Sequence, residues 1–256
     1  MPGIRKITRK NLPFVLIGAL LLGVGVYIGA SSAVQAVAAK KELPIYSVKR
    51  DDKVVAISFD AAWGDEDTAD IIKALADYNV KTTFFVVGNW VDKYPHQVKA
   101  LHEAGHEIMN HSDTHPHMTK LSLDEMRREI NRCNDKIEAI TGVRPNLFRP
   151  PYGDYNNAVI QAMHDMGMYT IQWDVDSLDW KDLTEEQIVA RVVPKVTPGS
   201  IVLFHNGAKH TAKALPMILD GLQKAGYTIV KVSEIIYYDN YTIDHTGRQI
   251  PTTSIN

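Results

Sequence analysis

The sequence predicts an α/β fold in which parallel strands are joined by helices. After residue 53, short runs rich in β-branched and aromatic residues alternate with amphipathic stretches, and seven such units can be counted. Polar residues of catalytic type follow directly after five of the apolar runs. In barrels of parallel strands, reactive groups lie on loops at the C-terminal ends of the strands. A barrel or a doubly wound sheet accounts for both observations, and a chain of 256 residues can form either.

The elements follow from periodicity and from residues that start or stop helices. Ser122 with Glu125, and Thr184 with Gln187, have capping-box spacing, which marks helix starts. Glycines mark helix ends at Gly105, Gly142, Gly167 and Gly226. The predicted strands are residues 54–59, 83–87, 107–110, 146–148, 169–173, 200–204 and 228–230. The predicted helices are residues 66–78, 95–104, 123–140, 157–166, 185–193 and 212–224.

The N-terminal residues differ in kind from the rest of the chain. Four basic residues precede an uncharged apolar run at residues 14–30, a pattern typical of a signal peptide or a membrane anchor. Small residues at Ala36, Val37 and Ala38 offer a cleavage site. The sequence therefore predicts an exported protein, either secreted or held at the membrane by one N-terminal hydrophobic helix.

Four segments are predicted along the chain. A signal or anchor segment at residues 1–39 is followed by a connector at 40–52 and a catalytic domain at 53–238. Residues 239–256 are polar and are predicted to form a loose C-terminal tail.

The net charge argues against a nucleic-acid-binding protein, and the cysteine content argues against a disulfide-stabilised or cysteine-dependent one. The formal net charge of −2 argues against a nucleic-acid partner, since such proteins usually carry a basic patch. The single cysteine, Cys133, cannot form an internal disulfide. Its neighbours at helical spacing, Met126, Ile130 and Ile137, predict a packed thiol and not a nucleophile.

Two histidines four residues apart, His111 and His115, are able to bind one divalent metal from a single turn. Taken alone, such a pair is more often two ordinary polar residues. Further candidates for chemistry lie at other strand ends: Asp60, Arg149 and His205. Their joint placement at one end of the predicted strands favours a metal-dependent hydrolase.

Five motifs in this order resemble those of the polysaccharide deacetylases of carbohydrate esterase family four, the NodB-homology domain. The motifs are Phe59-Asp60, His111-Ser112-Asp113-Thr114-His115, Arg149-Pro150-Pro151-Tyr152-Gly153, Asp176-Ser177-Leu178-Asp179-Trp180 and Leu203-Phe204-His205. The resemblance spans about residues 54–232. It implies a distorted (β/α)7 barrel that removes N-acetyl groups from a polysaccharide. Residues 58–64 resemble the branch associated with sporulation.

The resemblance also implies how the metal and the general base are held. His111 and His115 would bind the ion, and neutral imidazoles suit zinc or cobalt. Asp60 would act as general base toward the attacking water, with Arg149 keeping it ionised and oriented.

Leaving-group and substrate contacts are implied in the same way. His205 would protonate the leaving amine, and Asp179 would orient its imidazole. The backbone amide of Tyr152 would stabilise the oxyanion. Trp180 and Leu203 would form the apolar slot for the acetyl methyl group.

The sequence departs from the family pattern at one position. Members usually carry a second aspartate after the base as third metal ligand, and this chain has Ala61 there. Four side chains are alternatives for the third ligand: Asp60, Asp65, Asp67 and Asp113.

The expected function is metal-dependent N-deacetylation of a cell-wall polysaccharide, peptidoglycan or chitin-like, linked to sporulation. Ala61 motivates an alternative, a catalytically impaired glycan-binding or scaffold protein of the cell envelope. Retention of the acid and base residues argues against that alternative. A second alternative is an amidohydrolase acting on small amides. An extended groove with aromatic subsites would favour the polymer, and a closed pocket would favour the small amide.

Overall fold

The computed structural model describes residues 41–252 of the chain. The predicted signal or anchor helix lies outside these residues. Among residues 41–252, none of the helices combines the length and the apolar character needed to cross a bilayer.

Eight parallel strands form a curled sheet at the centre of the fold. They are β2 Val54–Ala61, β3 Thr83–Val86, β4 Glu107–Asn110, β5 Leu147–Phe148, β6 Tyr169–Thr170, β7 Val175–Asp176, β8 Ile201–His205 and β9 Thr228–Val230. The strand order is β6-β5-β4-β3-β2-β8-β7, and β9 pairs with the first residues of β2. The predicted α/β class with parallel strands is confirmed.

The sheet is a half-barrel, because the strands at its two ends do not pair with each other within residues 41–252. These end strands, β6 and β7, are separated by residues 171–174 alone. Parallel neighbours need a crossover of a dozen or more residues, so this short link cannot bring them side by side. The prediction of one strand at 169–173 is wrong in this respect, since the chain leaves β6 after Thr170 and forms β7 at the opposite edge.

Helices connect the strands and cover the sheet. They are α1 Thr68–Asp77, α2 Gly88–Lys93, α3 Pro95–Glu103, α4 Leu123–Thr141, α5 Asn157–Asp165, α6 Glu185–Val192, α7 Thr211–Lys224 and α8 Val232–Ile235. Six of them match predicted helices, and the sequence analysis missed the two short ones, α2 and α8. Both predicted capping boxes are present, at Ser122 and at Thr184. At Gly142 the backbone has φ 72°, the left-handed conformation that ends α4.

The two faces of β2 bury different kinds of residue. Val55, Ile57, Phe59 and Ala61 pack into the apolar layer between the sheet and the helices. Ser58 and Asp60 alternate with them and therefore face the inside of the curled sheet. The helix-side layer includes Phe59 stacked between Phe84 and Phe204, with ring centroids 4.8 and 5.6 Å away.

Cys133 belongs to this apolar layer and is fully buried. Its thiol donates a hydrogen bond to the carbonyl of Val86 over 3.3 Å, and burial raises its pKa. The prediction of a packed thiol is confirmed.

A second, three-stranded sheet closes the fold near both ends of the described chain. It comprises β1 Ser47–Val48, β10 Tyr241–Ile243 and β11 Arg248–Pro251, in the order β1-β11-β10. The tail was predicted to be loose from residue 239, yet it forms a hairpin there. The hairpin pairs with β1, and Gln249 is fully buried, with its side chain bonded to the backbone of Tyr237. The predicted segment boundaries stay predictions.

Candidate active site

A cleft of about 470 Å³ opens at the C-terminal ends of the central strands. Its walls are formed by Asp60, Trp63, His111, His115, Tyr152, Trp173, Asp176, Trp180, Leu203 and His205. Seven of the nine residues predicted for the site are in this set. The other two, Arg149 and Asp179, lie behind the walls and are buried. The structure therefore brings together the residues that the sequence placed at separate strand ends.

Asp60 is a buried carboxylate with two neighbours. Its Oδ1 accepts a hydrogen bond from Arg149 Nη1 at 2.8 Å, and its Oδ2 lies 3.5 Å from His111 Nε2. Burial by itself raises the pKa of Asp60, but the charge and hydrogen bond of Arg149, together with the nearby His111 and His205, outweigh this effect and the pKa is lowered. The carboxylate is thus ionised at neutral pH and directed into the cleft.

Arg149 is fully buried, and its position is fixed by several contacts. Nη2 donates to Ser58 Oγ at 2.8 Å and to the carbonyl of Gln172 at 3.2 Å. The guanidinium lies over the ring of Phe85, 4.2 Å from its centroid. Ser58 is two residues before Asp60 on the same face of β2, so strand alternation presents both to the same guanidinium.

His205 is the last residue of β8 and is held by Asp179. The imidazole Nδ1 lies 2.8 Å from Asp179 Oδ1, and the backbone N–H of His205 donates to Asp179 Oδ2 at 2.7 Å. The hydroxyl of Thr211 also donates to Oδ2. Burial lowers the pKa of His205, but the hydrogen bond and the charge of Asp179 overcome this and the pKa is raised. Nδ1 is engaged, so Nε2 is the atom that faces the cleft.

Asp60 and His205 are register partners on the adjacent strands β2 and β8. Partner residues in a sheet lie about 5 Å apart between strands. Each side chain has its own buried partner, Arg149 or Asp179. A carboxylate and an imidazole therefore lie side by side at the same edge of the sheet.

His111 and His115 lie next to Asp60, with their ring centroids 5.0 Å apart. His111 Nδ1 lies 2.7 Å from the carbonyl of Arg149, so the N–H is placed there and Nε2 keeps a free lone pair. Burial lowers the pKa of His111, and it lowers that of His115 to about 4. Both imidazoles are neutral at pH 7, the form that binds a metal.

The loop that carries the two histidines is tied to α4. Glu129 accepts from the backbone N–H groups of Asp113 and Thr114 at 3.0 and 2.8 Å, and from the Thr114 hydroxyl at 2.9 Å. These bonds hold a turn in which Ser112 and His115 have φ of 68° and 62°. Non-glycine residues occupy this region only where surrounding contacts impose it.

His111 and His115 could supply two of the protein ligands of a zinc site. Within residues 41–252, no group of three histidine, cysteine or carboxylate side chains is arranged to hold an ion. Ala61 is buried in the apolar layer, and its backbone pairs with Val86, whose carbonyl accepts from His111 N–H.

Of the four alternatives for the third ligand, only Asp60 has its carboxylate in the cleft, where it lies 3.5 Å from His111 Nε2. Asp65 accepts from Gln97, Asp67 accepts from the backbone of Gly207, and Asp113 pairs with Lys136. None of these three lines the cleft.

Aromatic side chains surround the mouth of the cleft. Tyr152 is exposed, has φ 60°, and stacks on His117 with ring centroids 4.3 Å apart. Trp180 is also exposed, whereas Leu203 is buried at the base of the cleft.

Sequence reasoning missed several contributors to the site. Trp63 and Asp176 line the cleft, and the sequence analysis assigned neither of them a role in the site. Ser58 and Gln172 accept hydrogen bonds from Arg149, and Glu129 holds the backbone of the histidine loop. Only Ser58 could have been found from the sequence, because its two-residue spacing from Asp60 places both on the same face of a strand. The others depend on tertiary contacts that no local pattern specifies.

The fold and this site define a half-barrel α/β protein of the hydrolase class, with a buried carboxylate and an imidazole on adjacent strands beside two further histidines. Residues 47–171 match the family model described as polysaccharide deacetylase. The chain is 34% identical over 198 residues to a peptidoglycan-N-acetylglucosamine deacetylase of Bacillus cereus, which covers 75% of this chain and 92% of that protein. The chain belongs to the polysaccharide deacetylase family.

Other relatives differ in length and in activity. The chain is 38% identical to the peptidoglycan-N-acetylmuramic acid deacetylase PdaC of Bacillus subtilis, over 74% of this chain and 40% of that protein. The chain spans 40 to 60% of the length of several curated relatives. A solved structure of BA3943, a CE4 family pseudoenzyme from Bacillus anthracis, superposes with a TM-score of 0.73 at 34% identity. That match covers 81% of this chain and 70% of the other.

Proposed function

We propose that this protein removes N-acetyl groups from the glycan of the bacterial cell wall. The observation that carries the proposal is the side-by-side placement of Asp60 and His205 on β2 and β8. Each is held by a buried partner that favours its charged form. Hydrolysis of an amide needs such a pair, a base for the attacking water and an acid for the leaving amine.

In the proposed reaction, Asp60 takes a proton from water as the water oxygen attacks the acetamide carbon. Arg149 keeps Asp60 ionised, since the guanidinium lowers its pKa despite burial. The backbone N–H of Tyr152 is proposed to donate to the developing oxyanion. Leu203 and Trp180 are proposed to enclose the acetyl methyl group.

His205 is proposed to complete the reaction by giving a proton to the amine nitrogen as the carbon–nitrogen bond breaks. Acetate and a free amino sugar are then the products. The pKa of His205 is raised by Asp179, so the imidazole carries this proton at neutral pH more often than a free histidine does.

A divalent metal, zinc or cobalt, is proposed to bind at His111 and His115. When bound, it would supply Lewis-acid polarisation of the amide carbonyl. With two imidazoles from the chain and no carboxylate at position 61, its affinity is expected to be lower than that of a site with three protein ligands.

The proposed substrate is peptidoglycan. Support comes from relatives named as deacetylases of N-acetylglucosamine or N-acetylmuramic acid in peptidoglycan. The proposed location is outside the cytoplasmic membrane, either anchored or secreted, because basic residues precede an apolar run near the N-terminus. The resemblance of residues 58–64 to the sporulation branch supports a setting in spore formation. Immunoblotting across growth and sporulation would test that setting, and equal amounts in growing cells would contradict it.

The activity is tested by acetate release from peptidoglycan and from chitooligosaccharides, using the full-length chain with added zinc or cobalt and with a chelator. We expect chelator-sensitive release that His205→Ala abolishes. His164→Ala, a change at an exposed histidine on α5, is the matched control and should leave release unchanged. Absence of release from every substrate would contradict the proposal.

A second candidate, a glycan-binding or scaffold protein without catalysis, is favoured by one observation. In the described part of the chain no group of three side chains is arranged to hold the ion, and a pseudoenzyme is among the similar structures. Binding of peptidoglycan without acetate release, under the same conditions, would support this candidate.

A further inference from the structure

The cleft continues into a second compartment of about 370 Å³. The two share Trp63, Trp180 and His205 as common walls. The far side of the second compartment includes the exposed charged residues Asp182 and Lys209. A ligand group placed next to the acid–base pair can therefore extend past His205 without leaving the groove.

Two indoles stand at the junction of the compartments. Trp63 is 59% exposed and Trp180 is 56% exposed, which is unusual for tryptophan in a folded domain. Indole faces are large and apolar, and sugar rings present apolar C–H faces with hydroxyls at their edges. The polar groups of Asp182 and Lys209 suit such hydroxyls, since both charged groups form strong hydrogen bonds.

The loop that carries Trp63 is held in place from both sides. The carbonyl of Gly64 accepts from Trp90 Nε1 at 2.8 Å and from Asn206 Nδ2 at 3.2 Å. Asp67 Oδ1 accepts from the backbone N–H of Gly207 at 2.8 Å. These bonds join the loop after β2 to the loop after β8. The Trp63 ring also meets the His115 ring edge to face, with centroids 5.5 Å apart. An aromatic surface fixed before binding loses little entropy when a ligand stacks on it.

We propose that the second compartment is a subsite for the neighbouring sugar of the glycan chain, with Trp63 as its stacking surface. This inference rests on the proposed function, because it places the reacting sugar at Asp60 and His205. It makes the ligand an oligosaccharide of at least two sugars and excludes a small amide as the preferred ligand. Trp63 thereby becomes a specificity-determining residue.

The test measures binding and does not require catalysis. N-acetylglucosamine and its β-1,4-linked dimer and tetramer are titrated into the full-length protein by NMR. Wild-type affinity is expected to rise at least about tenfold from the monosaccharide to the tetramer, the gain of one stacked ring. Trp63→Ala should remove this gain and leave monosaccharide affinity within about twofold. Trp63→Phe should keep part of it.

Met217→Ala, which changes an exposed apolar residue on α7, is the control and should bind as wild type. Circular dichroism melting checks that each variant is folded. Tetramer binding by Trp63→Ala equal to that of wild type would overturn the subsite and leave the proposed function standing. Absence of binding by wild type at every length would overturn the subsite, and absence of acetate release as well would overturn the proposed function. Length-dependent binding that needs Trp63, without acetate release, would uphold the subsite and reject the deacetylase.

Discussion

Arg149 donates a hydrogen bond to Asp60 over 2.8 Å, and both side chains are buried at the inner face of the curled sheet. The bond crosses from the loop after β5 to β2, so it joins strands that are not neighbours in the sheet. Removal of one partner from a buried ion pair leaves a charge without compensation. The pair therefore contributes both to the ionisation of Asp60 and to the stability of the folded half-barrel.

Arg149→Met is expected to destabilise the protein by about 3–5 kcal/mol, because it leaves the Asp60 carboxylate buried and unpaired. Urea denaturation followed by circular dichroism measures the free energy of unfolding. Arg144→Met removes an exposed arginine that pairs with Asp135 and Glu138, and a cost of at most about 1 kcal/mol is expected for it. Equal costs for the two variants would contradict the structural role assigned to Arg149.

The Asp179–His205 contact predicts a pH dependence of stability. Asp179 raises the folded pKa of His205 above its ordinary value of 6.5. Protonation of His205 therefore stabilises the folded state fully below pH 6.5, and this contribution is lost as the pH rises through the folded pKa. Asp179→Asn should lower the His205 pKa and reduce this loss between neutral and alkaline pH.

NMR titration of the His205 ring and melting temperatures from pH 5 to 9 would measure both effects. Asp165→Asn, a matched change beside the exposed His164, is the control and should not move the His205 titration. An unaltered His205 pKa in Asp179→Asn would show that the contact does not set its protonation.

Glu129 is predicted to position the histidine loop. Glu129→Ala removes three hydrogen bonds to residues 113 and 114, and a loss of about 1–3 kcal/mol is expected because two backbone N–H groups lose their partner. Zinc-induced thermal stabilisation should fall as well, since His111 and His115 flank these residues. Glu103→Ala, at an exposed position on α3, should change neither quantity. A Glu129→Ala variant with wild-type zinc response would limit its role to stability.

Ala61→Asp tests the third ligand position. A carboxylate placed in the apolar layer should destabilise the metal-free protein by several kcal/mol, because position 61 packs among apolar side chains. Zinc should recover stability in Ala61→Asp and raise its melting temperature more than that of wild type, because the ion binds the folded state. Ala61→Asn has the same size without the charge and should lack this gain. Equal zinc shifts in the two variants would show that position 61 does not contribute a ligand.

The repeating elements were predictable because each has a local cause. The strand at Glu107–Asn110 and the helix starts at Ser122 and Thr184 follow from apolar periodicity and capping. Placement of Asp60, His111 and His205 at one edge also followed, since parallel strands end together. Features that depend on distant contacts were missed. The hairpin at Tyr241–Pro251 is polar in sequence and is ordered by pairing with Ser47 and Val48. The open edge between β6 and β7 depends on where the chain turns after Thr170.

The groups that would perform the chemistry also connect separate elements of the domain through hydrogen bonds. Arg149 links Asp60, Ser58 and Gln172, and Asp179 links His205 to Thr211. Position 61, in contrast, is filled by a methyl group that suits its apolar surroundings. Alanine at position 61 is therefore compatible with the fold whether or not an ion is held nearby, whereas loss of Arg149 or Asp179 would disturb the packing of the domain together with the geometry of the cleft.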